Sequence, residues 1–152
     1  MKYYLSVFII LALLGCDISA ASDNDWTRLC PAQQFCFEHP PELRPISQQV
    51  IDSTVGRLQS DLLEVDYDLG LYSSNFSFLP EPNISAIIVD NLKADILISG
   101  QVIALRIAQV KPIPAMNNNI KFALQLRFVG TPNLDLALKM FHSIEFANEM
   151  KK

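Results

Sequence analysis

The chain has 152 residues, half of them hydrophobic, with nine prolines, five glycines, three cysteines and a formal net charge of -4. That length allows one compact domain and argues against two cores of ordinary size. The longest apolar stretch, Leu5 to Leu14 with Ser6 its one polar residue, lies behind the start Met1-Lys2 and covers about 15 Å as a helix, half the hydrocarbon thickness of a bilayer. It reads as a processed export segment rather than a transmembrane span.

The run closes with Leu13-Leu14-Gly15-Cys16 and then Asp17. This resembles the lipobox of bacterial lipoproteins, cut before a cysteine that then carries acyl chains. The resemblance implies a signal peptide over residues 1–15, lipidation (palmitate among the acyl chains) of Cys16 and membrane lipid as a partner. It further implies a place in the bacterial cell envelope facing the periplasm or exterior, with Asp17 favouring the inner membrane. An ordinary secretory signal cut after Ala20 or Ala21 is the alternative. Removing residues 1–15 takes away Lys2 and leaves 137 residues with a formal balance of -5. The longest basic cluster is the terminal Lys151-Lys152 pair, so nucleic-acid binding has little electrostatic support.

With Cys16 assigned to lipid, Cys30 and Cys36 form an even pair in an oxidising compartment. A disulfide is the simplest reading, against free thiols or a metal site. Closing that short loop contributes about 2.4 kcal/mol on the chain-entropy account.

In chain order, residues 16–29 read as a polar, lipidated tether and residues 30–152 as a single domain. Phe35-Cys36-Phe37 is a short candidate strand stopped by Pro40-Pro41. Residues 46–58 suggest a short helix with an incomplete apolar stripe, interrupted by Gly56. Leu63, Val65, Tyr67 and Leu69 alternate with Glu64, Asp66 and Asp68, the period of a strand with one wet face. Gly70 ends it, and Leu71-Tyr72 opens a longer loop. Residues 84–89 read as a strand or a helical turn. Ala94, Ile96 and Ile98 begin a strand that ends near Gly100, and Val102 to Val110 is another. Gly100-Gln101 is either a hairpin centre or a bulge. Phe122, Leu124, Leu126 and Phe128 alternate with polar residues, Asn133 is placed to cap a helix carrying Leu134, Leu138 and Phe141, and Ser143 to Phe146 is a terminal strand. The expected class is α+β, an antiparallel sheet packed by one or two helices.

The strand Phe122 to Phe128, the helix Asn133 to Phe141 and the closing Ser143-Ile144-Glu145-Phe146 resemble the end of the Mog1/PsbP-like group. The segments Phe35 to Pro41 and Asp52 to Ser73 resemble small bacterial lipoproteins. These likenesses imply a Mog1/PsbP-like fold and an interaction or assembly role, and they transfer no functional residue.

No nucleophile elbow, phosphate loop, dinucleotide fingerprint or zinc-protease helix is present in the sequence. No catalytic set, metal or cofactor is indicated. His39 near Glu38 and Glu42 is the one constellation from which a small envelope hydrolase could be built; Asp66 and Asp68 read as a solvated strand face. Tyr72, Phe76 and Phe78 make an aromatic loop that either anchors an envelope protein partner or packs over a sheet edge. The expected function is that of a membrane-anchored lipoprotein with an interaction or structural role, in which the sheet edge or the aromatic loop receives the partner.

Overall fold

A computed structural model describes residues 25–47 and 53–150. Its elements, in order, are β1 (Thr27–Leu29), β2 (Phe35–His39), β3 (Arg44–Ile46), β4 (Thr54–Gln59), β5 (Leu63–Gly70), β6 (Asn83–Val89), β7 (Leu92–Ser99), β8 (Val102–Ile113), β9 (Asn118–Phe128), α1 (Leu134–His142) and β10 (Glu145–Phe146). Seven strands form one antiparallel sheet in the order β3-β4-β5-β9-β8-β7-β6, and β1-β2-β10 form a second, smaller one. The fold is therefore α+β with a large antiparallel sheet and one main helix.

Local chemistry sets the hairpins. Asp90 and Asn91 both take left-handed backbone (φ 47° and 66°) and join β6 to β7 as a two-residue turn whose twist matches the strands, a conformation that Asp and Asn tolerate. Gly100, at φ 55°, turns β7 into β8, so the hairpin reading of Gly100-Gln101 is correct. Asn133 stays extended and accepts a hydrogen bond from the Leu136 amide at 3.0 Å, capping α1.

Alternation along the strands divides the large sheet into two faces. The first carries Val65, Leu69, Leu105, Ile107, Phe122, Leu124 and Leu126 into the main core. Helix α1 covers it through Ala137, Met140 and Phe141, and the small sheet through Phe35 and Phe37. Ser143 ties the two covers together, because its hydroxyl donates to the Met140 carbonyl at 2.7 Å and accepts from the Glu38 amide at 2.8 Å. Across the second face runs the segment 71–82, burying Phe76 and Leu79 on Leu97, Ala104 and Ala123.

Three expectations change and one open alternative is settled. Of residues 46–58, read as a short helix, 48–52 lie outside the described residues and Thr54–Gln59 form a strand, β4. Gly56 is not a helix breaker there but the space into which the Tyr67 ring fits. Residues 84–89 are strand, not helical turn. Thr27–Leu29, placed in the tether, pair with β2, and Trp26 just before them lies under the Lys139 ammonium, 4.3 Å from the ring centre. The terminal strand is only Glu145–Phe146 and joins β2 rather than the large sheet.

The envelope placement and membrane anchoring read from the leader are corrected: no helix among the described residues is long and apolar enough to cross a membrane. The leader and Cys16 lie outside the described residues.

Candidate functional site

Cys30 and Cys36 are joined as a disulfide, with alpha carbons 4.1 Å apart. The turn between them begins at Pro31 and holds Ala32 and Gln33 in left-handed backbone, which brings β2 back alongside β1. The pair staples the small sheet and lies on the side of β2 opposite Phe35 and Phe37.

The aromatic loop splits into unlike residues. Tyr72 is 86% exposed and Phe78 62% exposed, whereas Phe76 is 3% exposed. Phe76 is thus corrected from a partner-binding residue to a core residue of the second face, and it packs on the face of the sheet rather than over its edge. Its ring stands 6.0 Å from that of Phe78, so it supports the exposed ring from beneath.

His39 does not meet an acidic partner. It is buried, and its Nδ1 lies 2.8 Å from the Pro40 carbonyl oxygen. No group of three or more His, Cys, Asp or Glu residues is placed to hold a metal ion among the described residues.

The acids of β5 are less solvated than their alternation suggests. Arg57, facing them from β4, donates to both oxygens of Asp66 at 2.6 and 3.0 Å. Its Nη1 also lies 3.4 Å from Glu64, which Arg127 approaches at 3.6 Å on the other side. The hydrogen bonds that Arg57 donates to Asp66 raise the Arg57 pKa above its ordinary value. Asp68 lies beyond this network, and its Oδ1 is buried without a hydrogen-bond partner. Burial pushes the Asp68 carboxyl up, opposed by the Ser73 hydroxyl. The same hydroxyl sits 3.1 Å from the backbone carbonyl oxygens of Asp68 and Lys121, and so fastens the start of the 71–82 segment to β5 and β9.

A raised carboxyl pKa in the folded state means that the native chain binds this proton more tightly than the unfolded chain. Stability then falls as pH climbs from the unfolded value through the folded one. Asp68→Asn is expected to melt above the parent at pH 7, with the gain shrinking as pH drops toward the ordinary carboxyl value of 3.8. Thermal melts of both chains across the acidic range check this, and a lower melting point for the variant at pH 7 contradicts it.

The most distinctive surface is β6. It ends the large sheet, and no described strand pairs with its outer side. Val89 and Leu92 flank the two-residue turn, where facing residues exchange hydrogen bonds. Alternation from that point directs the backbone groups of Ser85 and Ile87 toward β7, and those of Ile84, Ala86 and Ile88 outward. These outward residues also present their side chains on the second face, with Ile84 52% and Ile88 59% exposed. Asn83 to Val89 contains neither charge nor proline. The opposite edge, β3, is three residues long and reads Arg44-Pro45-Ile46. Shortness, charge and proline are the ordinary means of closing an edge to pairing, and β6 has none of them.

Ile84 lies opposite Leu97, which belongs to the apolar cluster that buries Phe76. Sequence reasoning named the sheet edge as a partner surface without identifying β6. The signal was available in the uncharged run of residues 83–89. A second apolar feature, an open groove of about 950 Å³ past Arg44, Leu62, Leu63, Phe128, Val129 and Leu136, lies by the opposite edge. Polar side chains line it as well, Glu42, Gln59, Ser60, Asp61, Thr131 and Asn133.

This geometry defines an α+β domain with one blunted and one open sheet edge. No protein-family model, no curated protein and no solved structure matches the chain.

Proposed function

We propose that the protein is a non-catalytic interaction module that receives an extended, uncharged apolar segment of a partner protein as an added strand on β6. The observation that carries this reading is the outer edge of β6, where Ile84, Ala86 and Ile88 combine outward backbone groups with exposed side chains. Main-chain hydrogen bonds supply attraction in such a mode, and alternate side chains supply selectivity. The Mog1/PsbP-like likeness is compatible with an interaction role. The hydrolase alternative has less support, because His39 is turned to a backbone carbonyl inside the protein.

The test is a crosslinked-partner survey in cells, with a photoreactive residue at Ile84 and a control at Ile46 on the blunted edge. Discrete adducts are expected from Ile84, few from Ile46, and a loss of most adducts when Ala86→Lys sets an ammonium group in the pairing line. Equal adducts from both edges, or none from either, contradict the proposal.

A further inference from the structure

Resting on that edge-strand reading, we infer that β6 pairs with β6 of a second copy of this chain, antiparallel about a two-fold axis at Ala86. A two-fold interface requires self-complementarity: if one residue meets another, the second must meet the first. Three outward residues, Ile84, Ala86 and Ile88, are spaced evenly about the centre of the strand. Turning the strand over about Ala86 pairs Ala86 with itself, and Ile84 with Ile88 twice. Every outward amide then meets an outward carbonyl, in three pairs that each exchange two hydrogen bonds. Shifting the register by one outward pair in either direction brings in Pro82, which has no amide hydrogen, or the left-handed Asp90 of the turn. The register centred on Ala86 therefore uses the edge most fully.

Charge also permits this pairing. The strand carries none, so the two-fold sets no like charges opposite one another, whereas copies of β3 would bring Arg44 near its own symmetry mate. The pairing joins the exposed Ile84 and Ile88 side chains of both copies into one apolar row on the second face. A seven-residue strand is about 24 Å long, and a contact of that length covers less than the ~1,200 Å² at which standard interfaces begin. The dimer is therefore weak and depends on protein concentration.

Sedimentation equilibrium on the full chain tests the association, and a thiol pair tests the register. The parent is expected to pass from monomer to dimer as concentration rises toward about 1 mM, and Ala86→Lys to weaken association about tenfold by opposing two ammonium groups at the axis. In a Cys16→Ser background, where Cys30 and Cys36 are joined to each other, Ala86→Cys is expected to oxidise to a covalent dimer. Its two alpha carbons would lie about 5.5 Å apart, within disulfide reach. Ser85→Cys would leave them about 8 Å apart by strand rise and spacing, beyond that reach, and so stays monomeric under the same oxidation. A parent that is monomeric throughout, or crosslinking at Ser85→Cys as ready as at Ala86→Cys, overturns the inference. If the parent is monomeric while adducts from Ile84 fall on other proteins, this inference fails and the edge-strand reading stands. If both association and adducts are absent, both fail.

Discussion

Phe35→Ala is expected to remove about 3–5 kcal/mol of stability, the usual range for truncating a buried aromatic. Phe35 is 1% exposed and joins the two sheets at the centre of the core. Its ring meets Phe122 edge-on at 4.9 Å and Tyr67 at 5.7 Å, and lies 6.1 Å from both Phe37 and Phe146. Those neighbours come from β2, β5, β9 and β10, so no one of them can relax into the space without leaving its own strand. Against a typical total of about 5–15 kcal/mol, the loss takes a large share of the folding free energy. At about 2–4 °C per kcal/mol for a domain of roughly 150 residues, the melting temperature should fall by more than about 6 °C. Urea unfolding followed by circular dichroism measures the loss directly, and a change below about 1 kcal/mol contradicts this picture of the core.

Gly56→Val is expected to cost about 1–3 kcal/mol through overpacking. A valine normally favours a strand, so the sign of the effect is itself diagnostic. Gly56 faces Tyr67 across β4 and β5, and a side chain there would occupy the space of the Tyr67 ring and hydroxyl. The ring cannot swing aside freely, because it packs at 5.7 Å against both Phe35 and Phe37. The same enclosure pushes the Tyr67 hydroxyl pKa up. In a Tyr67→Ala background the penalty of Gly56→Val should largely vanish. A double-mutant cycle by urea unfolding reads that coupling. Equal penalties in both backgrounds would mean that the glycine serves some purpose other than seating the ring.

These two positions also explain which parts of the fold were legible in the sequence. Leu63 to Leu69 and Phe122 to Phe128 declare strands because each buries one face along its whole length. Asn133 declares a helix start because capping is local, and Gly100 declares a turn because left-handed backbone is local too. Gly56 misleads because its reason is the ring of Tyr67 on the neighbouring strand. Phe76 and Phe78 stand two residues apart with similar surroundings in sequence, yet the path of the 71–82 segment over Leu97, Ala104 and Ala123 buries one and exposes the other. Thr27–Leu29 is too short and polar to announce itself, and becomes a strand because the Cys30 to Cys36 turn returns β2 beside it.

The candidate site was legible only as a class. An uncharged run at residues 83–89 shows that pairing is unhindered, but which strand ends the sheet depends on the connection from β5 across the second face to the far side. That connection is set by Ser73 and Phe76 contacts between residues distant in sequence.

Residue-resolved amide hydrogen exchange on β6 tests the open edge most directly. In dilute solution, where sedimentation shows monomer, the amides of Ser85 and Ile87 should be protected by β7 while those of Ile84, Ala86 and Ile88 exchange rapidly; all three should slow when a strand docks, whether from a second copy or another partner. Protection of Ile84, Ala86 and Ile88 already in the monomer, or rapid exchange unchanged on association, would contradict pairing at β6.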